Sequence, residues 1–116
     1  MWSSAVAIAF ALSANGAPGA AKLPKLDYAM RCAGLTEAHA ANPALSLEDA
    51  RIAFDQAVYW GMAASEVARA EKQSSDWFTK EQKRQASEAQ AELSRASNPA
   101  RSELQACQAQ VPKLRG

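Results

Sequence analysis

Cys32, Cys107 and His39 have the most chemistry to offer, and their number and spacing say which chemistry it is. The chain has two cysteines and one histidine. Two cysteines 75 residues apart read as one disulfide if the chain is exported, and as two buried thiols if it is not. His39 has no His-x-x-x-His, Glu-x-x-His or Cys-x-x-Cys spacing around it, so a metal would find no second ligand by pattern. Met30 or Met62 could join His39 as haem ligands inside a bundle. The Cys-x-x-Cys-His attachment motif is missing, however, and methionine is ordinary core filling. The serines fall at helix starts and on polar faces, with His39 the one candidate base, so no nucleophile–base–orienter set can be assembled. Glu88 and Glu92 share a helix face, but Arg84 and Arg95 surround them as surface balance. The expectation is a protein with no catalytic residue, no metal and no cofactor.

The compartment decides how the cysteines are read. All 13 Lys/Arg and all 12 Asp/Glu lie from Lys22 onward. Within the neutral stretch before it, Ala5 to Leu12 is unbroken apolar sequence, followed by small residues and breakers from Ser13 to Ala21. That order is the layout of a secretory signal peptide, with cleavage after Gly19 or Ala21. No Lys or Arg precedes the apolar run, so the signal is atypical or the true start lies upstream. The run falls short of the ~20 apolar residues that span a bilayer. The alternative is an Ala-rich tail on a cytosolic protein. The reading adopted is a signal peptide over 1–21 and a single helical domain over 22–116, periplasmic or secreted and not membrane-spanning once processed. A formal net charge of +1 gives no electrostatic footprint for nucleic acid.

The elements follow from periodicity and punctuation. Leu26, Ala29 and Ala33, with Cys32, Leu35 and His39, make two adjoining rows of a first helix. Gly34 weakens that helix by up to ~1 kcal/mol relative to Ala, and Asn42-Pro43 ends it. Ser46-Leu47-Glu48-Asp49 is a start signal for a second, longest helix reaching to about Ser74. Within it, Ala53 to Ala64 is the densest apolar run of the mature chain. Phe54, Val58 and Met62, then Tyr59, Trp60 and Val67, cover several sides, the pattern of a helix buried all round. Its row Ala53, Ala57, Gly61, Ser65 offers a close approach to a neighbour. These features predict that the second helix is the wall on which the other three pack. Gly61→Leu would then cost ~1–3 kcal/mol by overpacking. Thr79-Lys80-Glu81-Gln82 has capping-box spacing for a third helix running to about Ser97. Asn98-Pro99 starts a fourth, with Ala100, Leu104, Cys107 and Val111 on one stripe. Nothing alternates with period two. The fold expected is an all-α, up-down-up-down four-helix bundle, in which the first and fourth helices are neighbours and Cys32 and Cys107 can meet.

Trp77-Phe78 falls, on this reading, in the turn between the second and third helices. The pair either folds back over the end of the bundle or stands out as an aromatic anchor for a partner. The adjoining Phe78-Thr79-Lys80-Glu81-Gln82 resembles, at Thr79 and Gln82, the Leu-Thr-x-x-Gln signature of small periplasmic helical stress proteins related to Spy and CpxP. Phe78 stands where that signature has Leu, and the chain carries one copy where those proteins carry two. In size and cysteine number the chain is also similar to HdeA-type acid-stress chaperones. Both resemblances imply a helical envelope protein that protects or binds other proteins. The expectation is therefore an exported, non-catalytic protein-binding or stress-protection module, monomeric or homodimeric, with an unknown protein partner. The alternative is a structural or accessory subunit that docks on a larger partner through its third helix.

Overall fold

A computed structural model describes residues 23–112; the segment read as a signal peptide lies outside them. Four helices follow one another: α1 Leu26–Ala40, α2 Leu47–Ala70, α3 Ser75–Ser94 and α4 Asn98–Ala109. Among the described residues there is no strand. Leu26 and Met30 at the start of α1 share a cleft with Trp77 and Glu81 at the start of α3. Ala38 and His39 at the end of α1 border a groove with Gln90 and Leu93 at the end of α3, so these two helices run the same way. Tyr28 and Cys32 meet Gln110 and Cys107, so α4 runs against them, as α2 does with Trp60 beside Tyr28. The chain is the expected up-down-up-down four-helix fold closed by the Cys32–Cys107 bridge.

The helix at the centre is α1, which corrects the expectation for α2. α1 packs against all three other helices, most extensively against α2 and α3, while α2 has only slight contact with α3 and α4. From Ala29 to Thr36 every residue of α1 except Arg31 is buried. A helix surrounded on all sides needs small residues so that its neighbours can close in, and Ala29, Ala33 and Gly34 supply them. α2 buries a single stripe of Ala53, Trp60, Ala64, Val67 and Ala68. Its apolar residues outnumber what one stripe can bury, so the surplus faces solvent.

The two glycines exchange roles accordingly. A Cβ at Gly34 would stand 2.7 Å from the carbonyl carbon of Gln85, whereas one at Gly61 would find only the Gln82 side chain at 3.8 Å. Gly34 is the close-approach position, not Gly61.

Two helix starts also differ from expectation. α3 begins four residues earlier than Thr79, because the Ser74 hydroxyl accepts from the Trp77 N–H at 3.0 Å and is the cap. Starting there winds Trp77 and Phe78 into the first turn of α3 and packs them, partly buried, against the core. They are not in a loop. α4 is capped by Ser97, one residue before Asn98, through the Ala100 N–H at 3.4 Å. α2 starts as expected, its Ser46 hydroxyl accepting from the Asp49 N–H at 3.1 Å.

α2 and α3 stop in the same way. Beyond α2, the Lys72 N–H donates to the Arg69 carbonyl at 3.0 Å and the Gln73 N–H to the Ala68 carbonyl at 2.9 Å. Beyond α3, Ala96 and Ser97 donate to Leu93 and Glu92 at 3.0 and 3.1 Å. This is the Schellman pattern, which needs a left-handed residue at its turn. Here that residue is Lys72 at φ 63° and Ala96 at φ 59°, where glycine is the usual occupant. Ala96→Gly should therefore stabilise the fold by ~0.5–1 kcal/mol by removing the Cβ clash. A denaturation midpoint at or below that of the parent chain would contradict this ending.

Arg31 is the one residue of the buried α1 segment that keeps a charge. Its guanidinium lies 2.6 Å from both Glu92 of α3 and Glu103 of α4. Burial works against that charge, but hydrogen bonds to the two carboxylates outweigh it and raise the pKa of Arg31. It thus ties together the two helices that have little contact with each other.

Candidate functional site

The residues singled out in the sequence occupy different places. Cys32 and Cys107 are joined, with Cα atoms 5.6 Å apart, inside the normal span for a disulfide. They are 0% and 1% exposed, so the bridge is a buried crosslink between α1 and α4. The Trp60 indole N–H covers it, donating at 2.9 Å to the Cys107 carbonyl near the end of α4. Tyr28 and Tyr59 stand edge-on to the same indole, their ring centroids 5.8 and 5.5 Å away.

His39 is half-buried in the last turn of α1, where a cation suits the negative end of the helix dipole. It borders a shallow groove with Arg101, Leu104 and Gln108. Among the described residues no three His, Cys, Asp or Glu side chains gather as a metal site would require.

Trp77 stands beside the start of α1, and Phe78 packs against the core. Trp77 borders a cleft with Leu26, Met30 and Arg84. Next to them Glu81 and Glu88 both pair with Arg84 along the exposed face of α3. The Glu81 carboxyl is held below the usual carboxylate range by its hydrogen bond from Arg84, then by one from the Gln85 amide. Stability from a carboxyl lowered in this way is present above its unfolded pKa and lost as pH falls through the folded one. On a solvated helix face the amount is small.

The feature that sequence reasoning set aside is the outer face of α2. Phe54 is 62% exposed, Met62 68% and Leu47 92%, with Val58 at 41% between them. Phe54, Val58 and Met62 follow one another at four-residue spacing and so form one continuous strip. They border a groove of about 720 Å³ floored by small residues, Ala40, Ala57 and Gly61, with Glu37 and Gln82 supplying polar groups. Gly61 keeps that floor open, since nothing but the Gln82 side chain stands over it. The four-residue strip was visible in the letters. What hid it was that a strongly apolar helix in a thin-cored chain reads as buried.

No protein-family model matches the chain, and no curated protein or solved structure is significantly similar to it. Among the described residues no helix is long and apolar enough to cross a membrane.

Proposed function

We propose that this is a non-catalytic protein-binding module, of the interaction or stress-protection kind, that works in an oxidising compartment outside the cytoplasm. The observation that carries the reading is the strip Phe54–Val58–Met62, exposed beside an open groove on a helix whose opposite side is fully used by the core. Contiguous apolar surface costs solubility and is kept where something covers it. Aromatic and methionine side chains make adaptable contacts with partners of varied shape. The buried disulfide supports export, because such bridges persist where thiols are not kept reduced. We place the contact on α2 rather than on α3, whose outer face carries Arg84 with Glu81 and Glu88. Trp77 and Phe78, held partly against the core, would shape that end of the molecule more than grip a partner.

The test is functional. At an equimolar ratio the purified protein should suppress light scattering by an unfolding client protein. The double variant Phe54→Ser/Met62→Ser should lose that effect while melting like the parent chain. A parent protein that is inert, or a double variant that remains fully active, would end this reading.

A further inference from the structure

We infer that the α2 face is self-complementary, and that its resting occupant is α2 of a second copy, packed antiparallel about a two-fold axis at Val58. The inference takes over from the proposed function only the reading that this face binds protein.

Outward from Val58, Phe54 and Met62 lie about one turn away on either side, Arg51 and Ser65 about two, and Leu47 and Arg69 about three. When two such helices pack antiparallel, each residue faces its mirror position, and every contact off the axis occurs twice. Val58 then faces Val58, and Phe54 faces Met62 of the second copy, which joins the exposed Phe54, Val58 and Met62 of both copies into one central patch. The small floor at Ala57 and Gly61 gives those side chains room to interdigitate.

The charges fit the same direction. Two turns out, Arg51 faces Ser65 of the second copy, with Glu66 of that copy beside it. Three turns out, Arg69 of the second copy faces Leu47, where its aliphatic stem can cover a side chain that is 92% exposed. Its guanidinium then reaches Glu48. Opposite charges therefore meet at both ends of the patch. A parallel pairing in the same register would set Arg51 on Arg51 and Glu66 on Glu66, which like-charge repulsion opposes. Within one copy these groups stay at the surface. Arg51 pairs with its own-helix neighbours Glu48 and Asp55 at 3.0 and 3.8 Å while remaining exposed. Neither Glu66 nor Arg69 takes part in an ion pair among the described residues. A formal net charge of +1 adds little overall repulsion between copies.

The experiment is sedimentation velocity over a concentration series, with the melting temperature of each variant recorded to show that it folds. The parent chain should reach a dimer. Arg51→Glu and Glu66→Arg should each weaken it about tenfold by setting like charges together, and the two changes in one chain should restore it, because the pairs re-form with their signs exchanged. Val58→Cys should crosslink to itself across the axis under mild oxidation, and Leu47→Cys should not. A monomer at every concentration overturns the inference, as does a dimer that is indifferent to the charge reversals or not rescued by the double change. A monomeric chain that still protects a client through Phe54 and Met62 removes the second copy and leaves the proposed function standing. A dimer that protects no client does the reverse.

Discussion

Gly34→Leu should destabilise the chain by ~3 kcal/mol or more, an effect at the upper end for overpacking. The atoms a Cβ would meet are the carbonyl carbon and oxygen of Gln85, at 2.7 and 2.8 Å. They belong to the backbone of α3 and cannot swing aside as a side-chain tip would. Relief requires α3 to move off α1, which disturbs the shared core to which Leu35 and Ala89 both belong. Alanine at this position should also destabilise, because the clash exceeds the gain in helix propensity of up to ~1 kcal/mol. At Gly61 the sign reverses. Gly61→Ala should keep most of that propensity gain, since the nearest atom is 3.8 Å away. Denaturant midpoints of the variants measure both effects. A Gly34→Leu chain as stable as its parent would mean that α3 does not lie on α1.

Removing the disulfide should cost a similar or larger amount. The bridge closes a loop across 75 residues, and chain entropy assigns ~4.5 kcal/mol to a crosslink of that reach. For a domain of this size, whose core holds few large side chains, that is a large share of the ~5–15 kcal/mol that folded proteins typically possess. Reduction should therefore lower the melting temperature sharply, and Cys32→Ala/Cys107→Ala should reproduce the drop without reductant. Mass spectrometry should show the parent chain gaining two hydrogens on reduction. An unchanged melting temperature would show that the core holds the fold without its crosslink.

The element order was legible because it is written in local signals. Ser46 caps as read, Asn42-Pro43 stops α1, and Cys32 and Cys107 sit mid-stripe on neighbouring helices. The cap of α3 was misplaced because Ser74 and Thr79 both offer a hydroxyl three residues before a free N–H. The choice went to the one that carries Trp77 and Phe78 onto the core, a tertiary gain that local spacing does not express. The centre of the fold was misjudged for a related reason. Apolar content marks α2, but what fits a helix among three neighbours is small volume, and α1 has Ala29, Ala33 and Gly34 where α2 has Phe54 and Met62. The outer face of α2 went unread for the same reason, since a helix taken for the wall of the bundle has no free side to bind with.

The placement of α1 at the hub has a consequence for how the molecule can change. Each outer helix answers mainly to α1, so a change on the far side of α2 is felt by little else in the fold. Contact surface and core are thus separable, and the exposed strip could be rewritten residue by residue for a different partner while the Cys32–Cys107 crosslink and the Gly34 seat keep the scaffold intact. A bundle whose outer helices packed as extensively on one another as on α1 would have far less of that freedom.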